Sequence, residues 1–153
     1  MSEIMAYMLG PKAENKEIFR MLISEVLDDH ISWRQNLYPN DTAVISNSDK
    51  MKESYREFID RFKGKLSFFL QESKKSVPFF SPRYIGHMNT DLLMPAMAGY
   101  FAGMLYNQNN VAGESSPVTV KLENEVIQML LKMAGFDPQK GFGYLCGGGT
   151  SAN

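Results

Sequence analysis

The sequence predicts a mainly α-helical chain that ends at the opening of an α/β unit. Three observations carry this. Apolar residues recur at three- and four-residue steps through four separate stretches. A single strand-like run, residues 142–146, follows them, and a triple glycine (Gly147, Gly148, Gly149) comes directly after that run. A lone strand has no partner for its backbone groups, and a glycine turn after a strand ordinarily leads into a further element. The 153 residues are therefore expected to be the front part of a longer α/β protein.

The first helix is expected over 13–35, where Phe19, Leu22, Ile23, Val26, Leu27 and Ile31 form one apolar stripe. Glu14 and Glu17 sit in its first turn, where the helix dipole favours negative charge. His30, beside Asp28 and Asp29, reads as a surface or packing residue. After a loop marked by Pro39, Asn40 and Asp41, a second helix is expected from Ser48 as N-cap to about Ser73. Its core face would be Met51, Tyr55, Phe58, Phe62, Leu66 and Phe69.

Between 77 and 90, Pro78, Pro82 and Gly86 forbid a regular helix, while Phe79, Phe80, Tyr84 and Ile85 are too apolar for a free linker. An extended segment over a core or along a pocket satisfies both facts. Helical spacing returns over 91–106 with Met94, Met97, Phe101 and Leu105. There Ala98, Gly99, Ala102 and Gly103 would let another backbone approach closely. A polar loop, 107–110, precedes Ser116-Pro117, a capping serine with proline at the first helical position. Leu122, Val126, Met129, Leu130 and Met133 would form that helix's buried stripe, with Gly135 as its stop.

Composition excludes several classes. Sixteen Lys and Arg against 17 Asp and Glu leave a net charge of −1, which removes the electrostatic case for nucleic acid or an anionic membrane. No apolar run approaches the roughly 20 residues of a membrane-spanning helix, and Met1-Ser2-Glu3-Ile4 lacks the basic and apolar regions of a secretory signal. A single cysteine, Cys146, makes no internal disulfide and suits a reducing cytoplasm. His30, His87 and Cys146 are too scattered for metal-ligand spacing.

Nine of the 12 glycines lie after Ala98, which directs attention to the C-terminal part. A strand, a glycine turn and then Thr150-Ser151 suggest an anion cradle, because glycines let successive N–H groups converge and the hydroxyls add donors. The Gly-Lys-Ser/Thr ending of a P-loop is missing. On spacing alone a flexible tail explains the run equally well.

Taken together, residues 81–90 (SPRYIGHMNT), 113–117 (GESSP) with Glu123, and 147–153 (GGGTSAN) resemble the group II pyridoxal-phosphate decarboxylases. Within that family, 10–15 (GPKAEN) and 30–36 (HISWRQN) are similar to the bacterial enzymes acting on tyrosine. The resemblance spans almost the whole chain in order. It implies an N-terminal helical segment plus the start of the α/β large domain of a fold type I enzyme. Residues 1–90 would be the helical, dimer-wrapping segment with a pocket strand, and 91–153 the truncated start of the pyridoxal-phosphate-binding domain.

Residue by residue, the resemblance matches Gly149 and Thr150 to the pair that holds the cofactor phosphate, with Ser151 next. The family often has Ser-Gly-Gly-Thr where this chain has Cys146 followed by three glycines, so no hydroxyl precedes Thr150 here. His87, Met88, Asn89 and Thr90 match the segment bordering the substrate, where an imidazole would bond a phenol. The plainer alternative for His87 is a histidine bonded to backbone. Asn109 and Val111 match positions inserted into the neighbouring subunit's pocket.

The chemistry implied is loss of an α-carboxylate from an amino acid, tyrosine foremost, with the pyridine ring as electron sink. Glutamate or another amino acid is an alternative, as is a non-catalytic helical dimerisation module. No catalytic residue is assigned within the chain. The Schiff-base lysine, the pyridine-nitrogen aspartate and the ring-stacking histidine are expected beyond Asn153, so the isolated chain should be inactive. A cytoplasmic homodimer is implied. Alone, the chain should self-associate through helix stripes left exposed.

Overall fold

The computed structural model describes residues 3–87 and 89–152, and it is helical throughout its regular elements. A 3-10 turn, Glu3–Tyr7, precedes α1 (Lys16–Leu37), α2 (Asn47–Met51), α3 (Glu53–Ser73), α4 (Met94–Tyr106), α5 (Thr119–Met133) and α6 (Gly149–Ala152). The chain divides into two compact units, Met1–Ala102 and Gly103–Asn153. Among the described residues no strand forms, and the predicted strand at 142–146 is extended backbone without a neighbouring strand. Sequence pattern marks a run that can be a strand, but a strand exists only when a second one takes its hydrogen bonds.

In the first unit, α1 begins three residues later than expected. Asn15 anchors its start: the side-chain amide donates to the Met8 carbonyl at 2.7 Å, and the Asn15 N–H donates to the Leu9 carbonyl at 3.1 Å. Met8 in turn forms an isolated antiparallel bridge with Leu93. The covered face of α1 is Phe19, Leu22, Ile23 and Val26, continued by His30, which is 5% exposed and meets the Trp33 ring at 5.6 Å. Leu27 and Ile31, expected on that stripe, face outward. His30 is thus a packing residue.

The second predicted helix is two helices. Ser46, not Ser48, is the N-cap of α2. Its Oγ accepts the Asp49 N–H at 3.1 Å, and the Asp49 carboxylate accepts the Ser46 N–H at 3.0 Å. A capping box needs an acidic or amide side chain three residues after the cap; Asp49 stands there for Ser46, whereas Met51 stands there for Ser48. Lys52, at φ −63° and ψ 140°, breaks the helix and serves both as the end of α2 and the start of α3. The aromatic face of α3 is not a core: Phe58, Phe62, Leu66 and Phe69 are all exposed, Phe69 by 64%.

Among the described residues the buried apolar side chains are Met94, Ala98 and Ile127, Met94 being only 2% exposed. Met94 and Ala98 are one turn apart on α4, which ends at Asn107 with φ +48°. Gly99 and Gly103, expected to admit a close backbone, have no described atom within 4 Å of where a Cβ would stand.

In the second unit, α5 opens at Thr119 after Val118, so Ser116 is not its N-cap. Ser116 is instead wholly buried, and its hydroxyl is drawn to Asn110 and Thr119 rather than to the helix backbone. The stop at Gly135 is as expected. Its N–H donates to the Lys132 carbonyl at 3.1 Å and the Phe136 N–H to the Leu131 carbonyl at 2.9 Å, the paired bonds of a Schellman motif with Gly135 at φ +79°.

Two glycines should respond oppositely to alanine. Gly135→Ala places a Cβ in the left-handed region and should lower stability by about 1 kcal/mol, whereas Gly64→Ala, in the open middle of α3, should raise it by a similar amount. Urea unfolding of the two variants distinguishes the signs. A pH effect follows from the α2 cap. The Lys52 ammonium, then the Ser46 hydroxyl and N–H, pull Asp49 from 3.8 to about 2. Because the folded value is depressed, the cap's contribution is complete above pH 3.8 and is lost as pH falls towards about 2. Exchange of the Ser46 and Asp49 amides against pH should show that window.

Candidate functional site

The glycine turn belongs to the second unit and is prepared by a match between a helix and an extended segment. Glu123, Ile127 and Leu131 stand four residues apart on α5, each about 6 Å along the axis from the next. Residues 145, 143 and 141 stand two apart on the extended segment, each about 6.6 Å from the next. The two repeats nearly coincide, so the segment runs antiparallel along one ridge of α5 and meets it at three successive points. A Cβ at Gly141 would lie 2.8 Å from a Leu131 methyl carbon and 3.1 Å from the Asp137 carbonyl oxygen. A Cβ at Gly143 would lie 3.1 Å from Ile127 Cγ2. Glycine at both positions is what lets backbone rest on the ridge. Phe142 and Tyr144, on the alternate side, are exposed.

The third point is polar. The Leu145 N–H donates to Glu123 Oε1 at 2.9 Å, and the Asn110 amide donates to Glu123 Oε2 at 2.7 Å. Asn110 Oδ1 accepts from the Ser116 hydroxyl at 2.8 Å and from the Thr119 hydroxyl at 2.5 Å. The Leu145 N–H, then the Asn110 amide, hold the Glu123 carboxyl below its ordinary value of 4.5. The contribution of these bonds is therefore present above that value and is lost only as pH falls through the depressed one. The sequence marked Glu123 as a motif residue and Ser116 as a cap, but not their grouping with Asn110 and Leu145. A signal existed: Glu123 is an acid in phase with Ile127 and Leu131, at the point where the ridge should continue apolar.

Beyond Leu145 the chain enters the turn. Gly148 has φ +155°, and no described atom lies within 4 Å of a Cβ built on Gly147, Gly148 or Gly149. Helix α6 starts at Gly149, and its first internal bonds run from the Ser151 and Ala152 N–H groups to the Gly148 carbonyl, at 3.0 and 3.1 Å. The Gly149 and Thr150 N–H groups precede those bonds, as the first donors of a helix do. Thr150 and Ser151 are exposed. The turn thus combines open space, backbone donors and two hydroxyls, a set suited to a phosphate. Cys146 is exposed, with its Sγ 3.5 Å from the Gly148 carbonyl.

Asn109 and Val111 flank Asn110. Asn109 Oδ1 accepts the Val111 N–H at 3.1 Å, its carbonyl accepts the Ser115 hydroxyl at 2.8 Å, and Val111 is exposed. The second unit therefore carries Gly149, Thr150, Ser151, Asn109 and Val111.

The first unit carries the remaining predicted residues. Its 77–91 segment borders a groove of about 470 Å³ to which Met8, Pro11, Phe79, Tyr84, Asn89 and Thr90 contribute. The Phe79 and Tyr84 rings meet edge to face at 5.0 Å, and the Tyr84 ring covers Gly86 where any Cβ would stand. His87 is exposed and does not line this groove. Met88 lies outside the described residues. No helix among the described residues is long and apolar enough to cross a membrane.

Comparison with curated proteins finds similarity to decarboxylases along the whole chain, in line with the resemblance to group II decarboxylases read from its motifs. It is a relative of bacterial L-tyrosine decarboxylases. Identity is 37% over 153 residues with the L-tyrosine decarboxylase of Levilactobacillus brevis, covering 99% of this chain and 24% of that protein. With the enzyme of Enterococcus faecalis it is 37% over 150 residues, covering 97% and 24%, and with that of Enterococcus faecium 38% over 153 residues, covering 99% and 25%. The chain thus spans about a quarter of the length of the curated relatives it matches. No family model matches it.

The ridge contact makes its own prediction. Gly141→Ala pushes against both a side chain and a carbonyl and should destabilise by about 1–3 kcal/mol, while Gly143→Ala, opposed only by the Ile127 side chain, should cost less. Thermal unfolding of the two variants side by side checks the order.

Proposed function

We propose that this chain is part of a pyridoxal-phosphate-dependent L-amino acid decarboxylase whose substrate is L-tyrosine. The observation that carries the reading is 37–38% identity to three L-tyrosine decarboxylases over 97–99% of the chain. The glycine turn ahead of Thr150 and Ser151 supports it, since no described atom beyond the chain neighbours stands within 4 Å of a Cβ built on any of its three glycines.

Bound pyridoxal phosphate supplies an electron sink for the pair left behind when the α-carboxylate departs as CO2. The Gly149 and Thr150 N–H groups and the Thr150 and Ser151 hydroxyls bind the phosphate. His87, Met88, Asn89 and Thr90 border the substrate, with the His87 imidazole bonding the tyrosine phenol. Asn109 and Val111 complete the pocket of a neighbouring subunit. The lysine, aspartate and histidine that act on the cofactor ring belong to sequence beyond this stretch, within the fold type I large domain, and residues 1–153 alone are inactive. The working protein is a cytoplasmic homodimer. The exposed faces of α1 and α3 support that association, because long helices with uncovered apolar stripes are marginal in water.

The test is an amino acid panel with the full-length protein and pyridoxal phosphate, read by CO2 release and cofactor absorbance. Tyrosine should be decarboxylated in preference to glutamate, and Thr150→Ala should weaken cofactor binding roughly tenfold, the loss of one hydrogen bond to a charged group. A protein that takes up no pyridoxal phosphate, or prefers glutamate, overturns the reading.

A further inference from the structure

The Glu123 carboxylate makes two bonds that join separate parts of the second unit. One oxygen takes the Leu145 N–H, the last point at which the extended segment is held before the three glycines. The other takes Asn110, the residue between Asn109 and Val111. Asn110 is held in turn by Ser116, which is completely buried, and by Thr119 at the start of α5. Leu145 is fixed in two further ways, by Gly143 on Ile127 and Gly141 on Leu131. The direction in which the chain enters the turn is therefore set by α5, and its last adjustment is polar.

We propose that Glu123 and Asn110 are a pair of positioning residues that lock the entry to the phosphate-binding turn onto the loop carrying Asn109 and Val111. Neither touches cofactor or substrate. They hold the phosphate-binding and substrate-facing segments in one register, so that occupancy of one segment is felt by the other. This rests on the decarboxylase reading for the identity of what binds, and on the hydrogen-bond geometry alone for the coupling.

The pair has a polarity that can be exchanged. Asn110 donates to Glu123 while its own oxygen accepts two hydroxyls, so its amide cannot turn over without losing both. Glu123→Gln then confronts two donors with one acceptor and one donor. Asn110→Asp confronts a carboxylate with a carboxylate. Both changes together restore the match: the glutamine amide donates to the aspartate, its oxygen accepts Leu145, and the aspartate's other oxygen still accepts Ser116 and Thr119. The net charge is that of the original pair.

The experiment uses the full-length holoenzyme and four proteins: wild type, each single variant, and the double variant. The readouts are pyridoxal phosphate affinity by absorbance titration, kcat and KM for tyrosine, and hydrogen exchange at the Leu145 amide. Each single variant should weaken cofactor affinity roughly ten- to hundredfold and raise KM, and should expose Leu145. The double variant should recover most of the loss in all three. Singles that bind cofactor as wild type does, or a double variant no better than the two losses combined, overturn the proposal. A wild type that takes up no pyridoxal phosphate overturns the functional reading instead. The coupling is then decided by Leu145 exchange, where exposure in the singles with recovery in the double supports it and unchanged protection overturns it.

Discussion

An extended backbone with no neighbouring strand needs another surface to fix its course, and the second unit is organised around supplying one to residues 141–145. The solution is a helix ridge with nearly the same repeat as the extended chain. Glu123, Ile127 and Leu131 present three points, two apolar and one charged. At the apolar points glycine lets backbone lie flat, and at the charged point a carboxylate replaces the missing carbonyl of a partner strand. Without that register, the glycine turn would begin from an undefined direction.

The first unit obeys a different constraint. Its long helices satisfy their backbones internally, so they need little from their surroundings to exist as helices, but their apolar stripes need a cover to be stable. Only part of α1 has one, along Phe19, Leu22, Ile23, Val26 and His30, and the aromatic face of α3 stays in solvent. Hydrophobic surface of this extent is what soluble chains use for association. The homodimer proposed above gives the stripes of α1 and α3 the burial that the described chain does not supply.

Helix identity was legible because its causes are local. The three- and four-residue apolar spacing, the acidic first turn of α1 and the glycine after α5 act within a few residues of themselves, and the four expected helices are found close to their places, one of them divided at Lys52. Where local reasoning was incomplete, a nearby alternative won. Ser46 captured the cap from Ser48 because Asp49 completes its box, and Ser116 lost its capping place because burial against Asn110 and Thr119 draws its hydroxyl elsewhere. The glycine turn and the relation to the decarboxylases were legible as well, since both reside in the order of residues.

By itself the sequence determined the helices, the turn with Thr150 and Ser151 behind it, and the kinship with bacterial L-tyrosine decarboxylases. Each depends on which residues follow one another. Only the tertiary structure decided that 142–146 is extended without being a strand, that Ile127 is the buried residue of α5, and that Glu123 holds Leu145 across 22 positions of sequence. Those outcomes depend on which surface is near enough to take a hydrogen bond or a side chain. No periodicity along a single chain contains that distance.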